Sequence, residues 1–159
     1  GQEVTDIQVA DLSQVRTEPR TLVWVDLVSA TSEELAAMGE EFQLHPMALA
    51  SCAPGAKQRP RVEEYEGQVL LIAYASKPVA EGEPVDLREL DVIAGHNFLL
   101  TFHGGAPIDA EAVAGRITAR PELAKHGAGF LLYVALDELV DALITEHQAA
   151  QLAEQDQAA

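Results

Sequence analysis

The chain alternates between short runs that are apolar on both of two alternating faces and longer runs whose apolar positions recur every three or four residues. Val69-Leu70-Leu71-Ile72-Ala73-Tyr74 is the clearest run of the first kind. A strand whose odd and even positions are both apolar is covered on both sides, which predicts an interior strand of a layered sheet. A rigid turn at Arg59-Pro60-Arg61, an extended run from Val62 to Tyr65 and a turn at Glu66-Gly67 precede it. The segment from Leu22 to Leu27 has the same two-faced pattern and is also expected inside the sheet. Val85, Leu87, Leu90, Val92 and Ile93 mark a third long strand, its alternation imperfect around Arg88-Glu89. Gly95-His96-Asn97 reverses the chain into Phe98–Phe102, so the last three strands read as an antiparallel meander. Ile7 and Val9 suggest a further edge strand, and Glu81-Gly82-Glu83-Pro84 a turn.

Helical spacing takes over between the strands. Thr31 followed by Glu34 is a capping-box pattern that opens a helix to about Phe42, with Leu35, Met38 and Phe42 on one face. Pro46 suits the first turn of a short helix that Pro54-Gly55 ends. Asp109 is an expected N-cap for a helix carrying Ala112, Val113 and Ile117, which stops before Pro121. After Gly127-Ala128-Gly129 nothing breaks the chain from Phe130 onward. Leu132, Leu136, Leu139 and Leu143 repeat at helical steps, widened by Leu131, Ala135, Val140 and Ile144. The expected fold is α/β: a mixed, largely antiparallel sheet sandwiched by helices and ending in a long C-terminal helix. Residues 1–129 form the sandwich, and 130–159 the start of a long helix packed on the same domain.

Composition changes this picture mainly through charge. The 26 acidic and 10 basic residues leave a net charge of −16, with a pI near 4.5. Phosphate binding needs basic surface, so nucleic acid is not an expected partner, and neither is anionic lipid. Cys52 is the single cysteine, which excludes an internal disulfide and suits a reducing compartment. The polar, acidic N-terminus does not read as a signal peptide, and no apolar run approaches the roughly 20 residues of a membrane-spanning helix.

Candidate chemistry is sparse. His45, His96, His103, His126 and His147 are scattered without the spacing of a zinc site. His45 is expected to cap the helix after it, and His103 to end a strand. Asp137 and Asp141 are a carboxylate pair one helical turn apart. Such pairs can hold a hydrated magnesium ion, and in so acidic a chain they also make an ordinary solvated face. Arg59 and Arg61 stand before Glu63-Glu64, where a structural ion pair is expected. Cys52 closes a helix without basic neighbours and reads as a small buried hydrophobe. Neither a nucleophile elbow nor a Gly-rich phosphate loop occurs, so an enzyme is not expected.

His45-Pro46-Met47-Ala48-Leu49, then Gln58-Arg59-Pro60-Arg61-Val62-Glu63, then Leu131-Leu132-Tyr133 and Asp137-Glu138-Leu139-Val140-Asp141 resemble the cytoplasmic domain of CorA-type magnesium and divalent-cation transporters. The order and spacing of these pieces span more than half of the chain. The resemblance implies a regulatory domain on the cytoplasmic side of the plasma membrane. It further implies a pentameric homo-oligomer, membrane helices beyond Ala159, and a last helix that continues as a stalk. It also implies a metal role for Asp137, which matches an acidic residue at the family's inter-protomer site.

The chain departs from the pattern at that same site. The acidic pair that follows His-Pro-x-x-Leu in the family is replaced by Ala50 and Ser51, and Lys57 stands where a histidine is common. A methyl group and a hydroxyl do not replace two carboxylates around a hard dication. The expectation is a magnesium or cobalt transporter domain whose dication site is weakened or lost, with no required cofactor and at most weakly bound Mg2+ or another divalent ion. Two alternatives stay open: a zinc-transporting branch of the same class, and a freestanding regulatory or ligand-binding domain of the same architecture.

Overall fold

In the computed structural model residues 21–77, 86–105 and 108–158 are described, together with 12–14 and 17. The two-faced runs become strands: β1 Val23–Val28, β2 Arg61–Tyr65, β3 Gln68–Lys77, β4 Asp86–Ala94 and β5 Phe98–His103. They form one mixed sheet in the order β1-β5-β4-β3-β2. The β2–β3, β3–β4 and β4–β5 pairings are antiparallel, and β1 lies parallel to β5. The meander is therefore present, continued by the β2–β3 hairpin. Gly67, at φ 73°, supplies the left-handed residue of that two-residue turn.

Helices cover both faces. On one side lie α1, Ser32–Glu41, and α2, Pro46–Ser51; on the other lie α3, Ala110–Ala119, a 3-10 turn at Pro121–His126, and α4, Ala128–Ala158. Thr31 caps α1 through the complete capping box, its hydroxyl taking the Glu34 N–H while the Glu34 carboxylate takes the Thr31 N–H. Leu35, Met38 and Phe42 pack with Ala48 and Cys52 onto Leu70, Ile72, Ile93, Phe98, Leu100 and Phe102. The second core joins Val113, Phe130, Leu131, Val134, Ala135 and Leu139 to Leu90, Val92 and Leu99. Asp109 caps α3, accepting from the N–H groups of Glu111 and Ala112.

Three expectations are corrected. β1 is not interior: among the described residues it is an end strand paired with β5 alone. Its two-faced pattern records helices above and below the sheet, and coverage of faces does not report lateral neighbours. The long helix begins at Ala128, two residues earlier than expected, after Gly127 at φ 68°. Its buried stripe is Phe130, Leu131, Val134, Ala135 and Leu139, while Tyr133, Val140 and Ile144 are exposed. The expected edge strand at Ile7 and Val9 and the turn at Glu81–Pro84 lie outside the described residues.

The β4–β5 turn is built around one close approach. A Cβ placed on Gly95 would stand 2.2 Å from the Phe98 ring, and that ring is 6% exposed and tilted against Phe42 at a 4.8 Å centroid distance. The ring cannot give way without opening the core. Gly95→Ala is expected to cost about 1–3 kcal/mol, read as a lower urea midpoint with unchanged slope.

Candidate functional site

The His-Pro segment is fixed from both ends. His45 Nδ1 accepts the Met47 N–H at 3.2 Å, capping α2, while its ring stacks on Tyr65 at 4.3 Å and 18°. Gln68 accepts from the His45 N–H at 3.0 Å and donates to Gln43 O at 2.9 Å, which ties the segment to the β2–β3 turn. One turn later Ser51, 7% exposed, donates to Met47 O and accepts from the Arg61 guanidinium, both at 3.0 Å. Arg61 also donates to Gln58 Oε1 at 2.7 Å and lies 3.0 Å from Glu63. The expected ion pair of the Arg-Pro-Arg turn is thus Arg61 with Glu63, and Arg59 is exposed. Ala50 is exposed, as is Lys57. Where the family pattern has two carboxylates, this chain has a surface methyl and a hydroxyl already engaged by an arginine.

Behind Ser51 lies a second group of polar residues, which sequence reasoning missed. Register places Arg61 opposite Ile72, and Ile72 opposite Asp91, in one row across the sheet. Asp91 is 6% exposed in the middle strand, and its Oδ1 has no hydrogen-bond partner. Burial, then the charge and hydrogen bond of Glu89, raise its carboxyl to a pKa of about 7 against the pull of Arg61. Glu89 stands opposite Tyr74, whose one hydroxyl hydrogen is shared between its carboxylate and Gln58 O, the latter 2.6 Å away. Burial and Glu89 together push that phenol up to about 12. Cys52 is buried beside them, and burial, then Asp91 and Glu89, hold its thiol protonated. It is the small hydrophobe that the sequence suggested. The available signal for Asp91 was an acidic residue inside the apolar run Leu90-Asp91-Val92-Ile93. An open pocket of about 230 Å³ lies over Asp91 and Glu89, walled by the loop that follows α2.

The carboxylates of α4 converge on an arginine. Asp137 accepts a hydrogen bond from Arg116 of α3, with Glu138 at 3.5 Å and Asp141 at 3.7 Å from the same guanidinium. Asp137 is about one-third exposed and Asp141 more so. The hydrogen bond that Arg116 donates to Asp137 raises the Arg116 pKa further. Among the described residues no group of three or more His, Cys, Asp or Glu is arranged to hold a metal ion.

At the far end of the sheet His103, the last residue of β5, is 9% exposed. Its Nε2 lies 3.0 and 3.1 Å from the two Asp26 oxygens, and its Nδ1 contacts Gly105 O. A carbonyl oxygen only accepts, so Nδ1 carries hydrogen and the ring donates on both sides. Burial works to lower its pKa, but the Asp26 carboxylate and Gly105 O outweigh that and raise it. Thr101 donates to the same Asp26 and accepts from the Trp24 indole at 3.2 Å. The chain of bonds joins β1 to β5 and anchors the loop toward α3.

These features define a class: an acidic α/β sandwich with a His-Pro capped helix over a Gln-Arg-Pro turn and a long terminal helix. The chain belongs to the CorA-like Mg2+ transporter protein family, whose model matches residues 19–153. It is 30% identical over 118 residues to the metal ion transporter YfjQ of Bacillus subtilis (strain 168), covering 74% of this chain and 35% of that protein. The complete CorA magnesium transporter of Methanocaldococcus jannaschii superposes with a TM-score of 0.57 at 25% identity, over 86% of this chain and 43% of that one. The soluble domain of the same CorA covers 99% of this chain and 57% of its own, with a TM-score of 0.59 at 22% identity. The fold is that of the CorA soluble domain, and the chain spans about a third of the curated relative's length. No helix among the described residues is long and apolar enough to cross a membrane.

Proposed function

We propose that this chain is the cytoplasmic regulatory domain of a divalent metal-ion transporter, of the magnesium or cobalt kind, with its own dication site weakened. It lies on the cytoplasmic side of the plasma membrane, its membrane-spanning region follows Ala159, and it catalyses no reaction. It works in a homo-oligomer, a pentamer in the full protein. Tyr133, Val140 and Ile144 support that assembly, being exposed at helical spacing on α4, where a neighbouring copy would cover them. The family match over residues 19–153 carries the transporter reading.

The weakening rests on Arg116. A guanidinium already satisfies Asp137, Glu138 and Asp141, and a dication would have to displace it and bear its repulsion. Asp137 and Asp141 are then at most weak dication ligands. Calorimetric titration of the domain with magnesium, cobalt and zinc chlorides is expected to show no saturable site tighter than millimolar. Arg116→Gln, which frees the three carboxylates, is expected to strengthen magnesium binding by about tenfold or more, at a cost in stability of about 1 kcal/mol because Arg116 and Asp137 are still about one-third exposed. A micromolar magnesium site in the unaltered chain would overturn the reading.

A further inference from the structure

The pocket over β4 belongs to neither arginine-held cluster. Its floor holds Asp91 and Glu89, and its walls include Ala53, Ala56 and Phe102, with Lys57 beside them. We propose that this pocket binds a small alkylammonium ligand, a diamine or polyamine end, whose charged group sits on Asp91 and Glu89 while its methylenes lie along the alanine wall. Three observations carry this. Asp91 Oδ1 is buried without a hydrogen-bond partner and belongs to a residue only 6% exposed that lines an open pocket; leaving a buried acceptor unpaired is costly, which favours a ligand that brings a donor. Two carboxyls two residues apart on one strand face supply acceptors for an ammonium, which has three donors. The wall is partly apolar, with Ala53, Ala56 and Phe102, which suits the methylenes of an aliphatic amine better than a hydrated metal ion, while Lys57 at the rim opposes any cation alike.

The groups that face the pair or line its pocket are Tyr74 on β3, Arg61 on β2, Cys52 at the end of α2, Lys57 in the loop after it, and His103 at the end of β5, which Asp26 holds. Tyr74 and Cys52 stay neutral through the physiological range because both are shifted upward. Two groups then change charge in this range, the carboxyl pair with a pKa near 7 and His103 with its raised pKa, and loss of either proton favours a cation in the pocket. An ammonium that seats on the pair needs it ionised, so below about pH 7 binding releases the proton the carboxyl still holds, up to one for each ligand bound, and above it releases none. Affinity then rises with pH up to about 7 and levels off above it. The inference is independent of which ion the full transporter carries.

The test is a calorimetric titration of the whole chain with 1,4-diaminobutane at about pH 6 and about pH 8, in buffers of different ionisation enthalpy. Saturable binding is expected, about tenfold tighter at the higher pH, with proton release at the lower. Asp91→Asn is expected to weaken it by at least about tenfold. Ala56→Leu, which narrows the mouth from a half-buried loop position and leaves the acids intact, is expected to do the same. Absence of saturable binding would overturn the proposal, as would binding that neither variant changes. Displacement of the diamine by magnesium chloride well below the sodium chloride of equal ionic strength would replace the ammonium with a dication, and so overturn it too. None of these outcomes bears on the weakness of magnesium binding at Asp137, which Arg116→Gln reads separately.

Discussion

Phe98→Ala is expected to cost about 3–5 kcal/mol. Phe98 opens β5, is 6% exposed, and meets Phe42 of α1 with ring centroids 4.8 Å apart. It joins the β4–β5 turn to the helical layer, so the cavity would open where two elements are held together and neither can collapse into it. A domain of this size has about 5–15 kcal/mol in all, so about a fifth of the stability or more would go. The urea midpoint reads the loss, and Gly95→Ala supplies a cross-check. A methyl added at Gly95 clashes with the Phe98 ring itself. In the double variant that clash vanishes, so the two costs should fall short of their sum by about 1 kcal/mol or more. Strict additivity would show that Gly95 is required for some other reason.

The second large effect is expected at Asp26, and it depends on pH. Asp26→Ala leaves buried His103 without its carboxylate and Thr101 without its acceptor. The His103 and Asp26 side chains are 3% and 14% exposed, so solvent does little to replace the lost partner. Removing one member of a buried pair costs about 3–5 kcal/mol. The folded-state pKa of His103 lies above its unfolded value. The pair's contribution is therefore complete below the ordinary histidine pKa of about 6.5 and fades as pH rises through the folded value. Asp26→Ala should therefore be most destabilising near about pH 6, and should lose part of that cost by about pH 9, where the hydrogen bond to Thr101 is what remains. Asp26→Asn, which keeps an acceptor for Thr101, should recover the alkaline part only. Thermal melting across that range decides it; a cost independent of pH would show that His103 is neutral in the fold.

Much of the architecture was legible because it is local. Thr31 with Glu34, Asp109, and Pro46 after His45 each satisfy backbone donors within a few residues, and all three caps are present. The strand runs were equally readable, since apolar residues on both faces demand two covering layers. What could not be read was lateral order. β1 looks like a central strand and stands at the end of the described sheet. Within the apolar stripe of α4 the sheet buries Leu131, Val134, Ala135 and Leu139 fully and Leu132 and Leu136 partly, and leaves Val140 and Ile144 exposed, because it selects one face from several apolar ones.

The candidate site divides in the same way. Residue identity alone motivates the proposed weakening at Ala50 and Ser51, since side chains without carboxylates are poor partners for a hard dication. Only the tertiary structure could show that Asp137, Glu138 and Asp141 share Arg116, from a helix 21 residues earlier than Asp137. Only strand register could place Asp91 under a pocket beside Glu89. Capping and alternation are settled by neighbours in the chain. The pairing of charges, and the environment that fixes a carboxyl's proton, are settled by residues that folding alone brings together.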